Sequence, residues 1–120
     1  MKFLSALIYV TDFEKAKDFY LGKLGGTLVS QDEVRLAIRL GHLDIDMFQV
    51  TESADPSGYA KRPGIALAFQ VDDVGISMAE LKAKGVKFIH EVPNQNEYYH
   101  YAAFADPSGN VIEIAQILYD

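Results

Sequence analysis

The chain has 120 residues, 49% of them apolar and 23% charged, the profile of one folded domain able to remove roughly two-thirds of its unfolded surface from water. Seventeen acidic against 11 basic residues leave a net charge of −6; this repels phosphate backbones and anionic lipid, excluding nucleic acid and membrane as partners in favour of small molecules. Cysteine is absent, so disulfides, thiolate ligands and a cysteine nucleophile are excluded, and with no apolar run near the about 20 residues of a membrane span the expected location is cytoplasmic.

Residues 3–10, FLSALIYV, combine β-branched, aromatic and aliphatic side chains and predict a first strand buried on both faces, not a signal peptide. Thr11 and Glu14 have the spacing of a capping box, and Phe13, Ala16, Phe19, Tyr20 and Leu24 then recur at helical intervals until Gly25-Gly26 end the run. Three strand-like runs come next, at about 27–31, 34–40 and 43–50, separated by Gln31-Asp32 and Gly41-His42. Residues 52–63 concentrate Pro, Gly, Ser and charge without periodicity and read as a linker. The pattern then restarts. IALAFQV (65–71) is a strand, Asp72 or Asp73 an N-cap, and Val74, Met78 and Leu81 the stripe of a helix closed by Gly85, with strand-like runs at 86–90, 98–105 and 110–118.

The two halves overlay. YVTDFEKAKDFYLGKLGG and QVDDVGISMAELKAKG share hydrophobic-x-Asp, a helix and then Gly at a shift of about 61 residues. The expected architecture is α+β in a single domain of two tandem βαβββ modules, 1–51 and 64–120, whose helices cover one sheet face and whose concave faces form a partly closed cleft. The pentapeptide ADPSG occurs twice. At 105–109 Asp106 can accept backbone hydrogen bonds, Pro107 presets φ and Gly109 supplies a left-handed residue before the last strand; at 54–58 the same residues are read as a linker turn without functional role.

Three blocks, IYVTDFEKAKDFYLGKLGG at 8–26, AFQVDDVGISMAELKAKGVKF at 68–88 and FADPSGNVIEIAQ at 104–116, together resemble the vicinal oxygen chelate superfamily over nearly the whole chain. That superfamily includes glyoxalase I, extradiol dioxygenases and the bleomycin-resistance binding proteins. The resemblance implies a cleft in which metal-using members place His, Glu, His and Glu, one from each of four strands. Matched position by position, the two histidines are replaced here by Ser5 and Ala66, whereas Asp46 and Glu113 stand where the carboxylates fall. Strand alternation sets Asp44, Asp46 and Phe48 opposite Leu43, Ile45 and Met47, and Glu113 opposite Ile112 and Ile114. A carboxylate inside the apolar run NVIEIAQ needs a cation, a hydrogen-bond donor or a raised pKa.

Zinc, nickel and iron are usually held with the help of imidazole, so no cofactor is expected. A hard divalent ion would be weakly bound, with Asp46 and Glu113 as its ligands. None of His42, His90 and His100 matches a ligand position of the family. The expected ligand-binding residues are Ser5, Asp46, Phe48, Ala66, Tyr98, His100 and Glu113, with Phe3, Leu7, Tyr9 and Ala68 completing an apolar wall. The expected function is metal-independent binding of a small cationic or aromatic molecule by a homodimer of the bleomycin-resistance kind. The competing reading is a lyase or isomerase with an atypical metal site at Asp46 and Glu113, in which Glu113 is the best candidate base.

Overall fold

Each half of the chain is organised by a central strand that is apolar on one face only. A computed structural model describes residues 1–120. It divides into two compact units, Met1–Ala54 and Asp55–Asp120. In the first, β1 (Ala6–Val10), α1 (Phe13–Lys17) with a π-helical continuation (Asp18–Lys23), β2 (Thr27–Gln31), β3 (Arg35–Leu40) and β4 (Leu43–Gln49) form a sheet of order β1-β4-β3-β2. In the second, β5 (Leu67–Gln70), α2 (Val74–Ala83), β6 (Asn94–Gln95), β7 (Tyr99–Ala105) and β8 (Val111–Ile117) form a sheet of order β5-β8-β7-β6. The fold is α+β, two βαβββ modules of the same topology, with neither sheet closed into a barrel.

In both modules the last strand lies in the middle, parallel to the first and antiparallel to the third. Ile45 and Met47 on β4, Leu36, Ile38 and Leu40 on β3, and Ile8 and Val10 on β1 are buried, as are Phe13, Ala16, Phe19 and Tyr20 of the helical segment. The second module repeats this with Ile112, Ile114, Ala102 and Phe104 under Val74 and Met78 of α2. Burying side chains of this size contributes about 1.5–3 kcal/mol each. The polar residues of the central strands are thereby turned to the other face, because a register slip of one residue would invert every side chain.

Local signals were legible with three exceptions. The helix N-cap is Asp12, not a Thr11–Glu14 capping box: Asp12 is extended and its carboxylate accepts from Glu14 N (2.9 Å) and Lys15 N (3.0 Å), which leaves Glu14 to pair with Lys17. The first strand begins at Ala6 and is buried on one face only; it lies at a sheet edge, with Leu7 55% and Tyr9 52% exposed. The run 86–90 makes a single bridge, Phe88 with Phe104, instead of a strand. Ile89 N–H reaches Ala103 O, but the Ala103 N–H donates to His90 Nδ1 (3.1 Å), so an imidazole takes the place of the next ladder carbonyl. The edge strand is Asn94–Gln95 instead.

The two ADPSG turns diverge in burial. Asp106 is 5% exposed. Its Oδ1 accepts from Ser108 N (2.9 Å) and Asn110 N (2.8 Å) and its Oδ2 from Asn110 Nδ2 (3.0 Å), while Gly109 takes φ +88°. Asp55, in the other copy, caps a 3-10 turn, Pro56–Gly58, by accepting from Ser57 N (2.9 Å) in solvent. Asp106→Ala is expected to lower unfolding free energy by about 2–3 kcal/mol, because buried donors lose their acceptor. Asp55→Ala should stay close to wild type. Urea denaturation of the two variants checks this, and equal losses would contradict it.

Candidate functional site

Asp46 and Glu113 occupy the same place in their modules. Asp46 lies on β4 opposite Ala37 of β3 and Leu7 of β1; Glu113 lies on β8 opposite Ala103 of β7 and Ala68 of β5. Directly opposed residues share a sheet face. Each carboxylate therefore stands on the face away from the isoleucines and methionine of its module's core, next to an alanine that is itself buried, Ala37 in the first module and Ala103 in the second.

Their partners differ. In the first module Ser5 Oγ donates to Asp46 Oδ2 (2.7 Å) and Arg35 Nη1 to Asp46 Oδ1 (3.3 Å), the Arg35 side chain being 47% exposed. Arg35 was missed by sequence reasoning although its signal was present: the Gly41-His42 turn sets Leu40 against Leu43 and Arg39 against Asp44, which places Arg35 against Phe48, diagonal to Asp46. Phe48 also faces Tyr9, with ring centroids 6.4 Å apart. Arg39 and Asp44 form an exposed pair at 2.8 Å, a solvated contact of small energetic consequence.

In the second module the partner of Glu113 is Tyr59, whose hydroxyl donates a hydrogen bond to Glu113 Oε2. Tyr59 comes directly after the first ADPSG turn, in the segment read from sequence as a linker without role. Its ring meets His90 edge-on at 5.7 Å, and His90 meets Tyr101 at 5.9 Å. Because His90 Nδ1 accepts from Ala103 N, the neutral ring carries its proton on Nε2. Burial, the bond to Glu113 and the charge on Glu113 push the Tyr59 phenol well above the usual range, so it stays protonated as the donor.

The other expected residues do not all reach the faces that carry the carboxylates. Ser5 and Phe48 lie on the face of Asp46. Ala66 precedes β5 and is exposed, whereas the alanine paired with Glu113 is Ala68. His100 is paired with Gln116, and Gln116 Oε1 accepts from Val74 N at the start of α2, so His100 stands on the helix side of the sheet, opposite to Glu113. Tyr98 sits opposite Leu118, about 17 Å along the strand from Glu113 at about 3.4 Å per residue. It packs with Tyr99 and Tyr119 in an exposed trio of rings. Both corrections have the same cause, since alternation decides the face and Tyr101 is the tyrosine of the YYHY run that reaches the Glu113 side.

The metal-site test is set by these donors. No group of three or more His, Cys, Asp or Glu side chains is arranged so that it could hold a metal ion. Asp46 is opposed by a guanidinium, and Glu113 is engaged by a phenol. This donor set does not fit the His and Glu metal of the metal-using relatives. An open depression of about 590 Å³ at the start of α1 is bordered by Asp12, Glu14, Asp32 and Glu33. Asp12 and Asp32 each commit Oδ1 to nearby backbone N–H groups, Asp32 accepting from Val34 N and Arg35 N, which also holds its carboxyl below the usual range.

The two duplicated βαβββ sheets are the fold expected from the sequence resemblance, and comparison with known proteins agrees on family and fold. Residues 2–114 match the Glyoxalase/Bleomycin resistance protein/Dioxygenase superfamily, to which this chain belongs. The uncharacterized protein YraH of Bacillus subtilis (strain 168) is 30% identical, with 98% of this chain and all of that protein covered. Among solved structures, a glyoxalase family protein from Enterococcus faecalis superposes with a TM-score of 0.79 at 21% identity, covering 95% of this chain and 96% of its own. TnmS3, an antibiotic binding protein from a Streptomyces species, superposes with a TM-score of 0.66 at 30% identity, covering 97% of both chains.

The Tyr59 bond makes a pH signature. An unfolded tyrosine ionises near about pH 10, and the folded value is higher. The stability due to the phenol is therefore fully present below about pH 10 and lost as pH rises from there through the folded value. Tyr59→Phe should cost about 1–2 kcal/mol, towards the low end for a part-buried charge-assisted bond. The difference from wild type should hold constant up to about pH 10 and then shrink by up to about 1.4 kcal/mol per pH unit. Urea unfolding of both proteins between pH 7 and pH 12 reads it; a difference that persists unchanged at high pH would contradict this assignment.

Proposed function

We propose that the protein is a small-molecule-binding member of its superfamily that works without a catalytic metal. Glu113 is the polar anchor of the site, and the ligand is aromatic or cationic. The observation that carries the reading is the setting of Glu113: an acceptor between two alanines, Ala68 and Ala103, with aromatic rings beside it and only a neutral donor on its carboxylate. Such a site offers apolar area with one convergent polar group, the composition of small-molecule pockets. The donor set at Asp46 supports metal independence, because Arg35 already supplies the positive charge that a cation would bring. The antibiotic binding described for TnmS3 supports the class of function. Homodimeric assembly and a cytoplasmic location belong to the same proposal, the latter resting on a cysteine-free chain.

The lyase or isomerase reading is less favoured. A base must reach the proton it removes, and Glu113 is engaged by Tyr59 while Asp46 is engaged by Ser5 and Arg35.

A thermal-shift screen of the wild-type protein against aromatic antibiotics, thioesters and divalent metals tests the proposal. A ligand specific for the native state raises the melting temperature by mass action. Aromatic or cationic compounds should raise it and metals should not, and Glu113→Gln should lose the compound-induced shift. Stoichiometric divalent metal retained through purification and released by Glu113→Gln would overturn it.

A further inference from the structure

From the geometry around Glu113 we infer that this carboxylate is a receptor for a hydroxyaromatic group, and that Tyr59 is its intramolecular stand-in, occupying the place that an external phenol takes when it binds. The inference rests on the binding-protein reading above and names the chemistry of the ligand at that site.

Four observations carry it. First, the group on Glu113 is itself a phenol, hydrogen-bonded through its hydroxyl and laid edge-on against an imidazole, so the surface is complementary to a hydroxylated ring by construction. Second, the receptor side is built independently of Tyr59. Glu113 is fixed on a central strand between Ala68 and Ala103, and His90 is oriented by accepting the Ala103 N–H and by packing on Tyr101. Third, Tyr59 comes from the least regular part of the chain. Residues 52–66 carry no strand and only one short 3-10 turn, and Ala60, directly after Tyr59, is in the left-handed region at φ +60°, a conformation disfavoured for a residue with a Cβ. Fourth, Tyr59 is held by the elements it touches through its side chain, while its backbone N–H serves the local turn by donating to Pro56 O. Withdrawing the ring leaves the sheet hydrogen bonds intact.

The chemistry selects a hydroxyl in particular. Glu113 offers acceptor oxygens only, and its neighbours across the sheet are methyl groups. A ring without a donor would leave the carboxylate without its partner in a partly desolvated site. A hydroxyaromatic ligand restores both the ring contacts and the charge-assisted bond, and it must compete with Tyr59 to do so.

The test uses p-cresol, which is the tyrosine side chain without its backbone, with toluene as the ring lacking a donor and benzylamine as the cationic ring. Binding is measured by NMR titration of backbone amides. Tyr59→Ala should bind p-cresol with shifts centred on residues 68, 90, 101, 103 and 113. It should prefer p-cresol to toluene by about tenfold or more, the discrimination expected of one charge-assisted hydrogen bond. Wild type should bind p-cresol at least about tenfold more weakly than Tyr59→Ala, because its own phenol is in place. Adding Glu113→Gln to Tyr59→Ala should remove most of the preference over toluene.

Equal binding of toluene and p-cresol, tighter binding of benzylamine, or wild-type affinity equal to that of Tyr59→Ala would each overturn the inference. Should Tyr59→Ala not fold, wild type itself is titrated: p-cresol should then displace the Tyr59 ring signals together with the Glu113 amide, and shifts confined to other residues overturn it. The outcome is separable from that of the wild-type ligand screen. A positive screen with no p-cresol preference removes the phenol class alone, whereas stoichiometric divalent metal released by Glu113→Gln removes the metal-independent binding reading itself.

Discussion

The structure depends on the one-sided burial of its two central strands. Ile45 and Met47 on β4, and Ile112 and Ile114 on β8, are drawn into the cores of their modules, and strand alternation then fixes Asp46 and Glu113 on the other face. Each central strand is paired on both sides, parallel to one neighbour and antiparallel to the other, so it cannot slide without breaking two ladders. The acids are therefore held in place by hydrophobic packing on the opposite side of the sheet. Their own polar contacts only refine where the carboxylates point.

Duplication provided two equivalent positions, and the sequence around each has made them chemically different. The Asp46 carboxylate is charge-compensated by Arg35 and hydrogen-bonded by Ser5, which leaves a locally neutral, polar patch beside Phe48 and Tyr9. The Glu113 carboxylate has a neutral donor, aromatic neighbours and methyl groups around it. A buried or half-buried acid without a cation relies on donors of this kind. That difference is the reason the proposed function centres on Glu113 and not on Asp46.

The repeated pentapeptide shows how far local sequence reaches. Both copies form turns in which an aspartate accepts from the amide two residues on, as their residues dictate. Beyond each turn, the path of the chain is decided by the surroundings. After Asn110 the chain continues as the central strand and delivers Glu113; after Gly58 it delivers Tyr59 onto that same carboxylate, 54 positions away in the chain. The two devices thus meet at one hydrogen bond. No local pattern in residues 52–63 announced the contact, because a single phenol reaching across a fold has no periodicity.

By itself the sequence determined the duplicated βαβββ layout, a second helix cap at Asp72 or Asp73, of which the structure uses Asp73, the turn at Asp106 and Gly109, and the sheet face of Asp46 and Glu113. These arise from hydrophobic period, capping chemistry and alternation, all short-range properties written along the chain. Tertiary structure alone decided the partners. It placed Tyr59 on Glu113 with His90 against the Tyr59 ring, turned His100 to the helix side, and gave the Ala103 amide to an imidazole in place of a strand. Those outcomes depend on which distant side chains arrive over a given strand position, and only the packed fold brings them together.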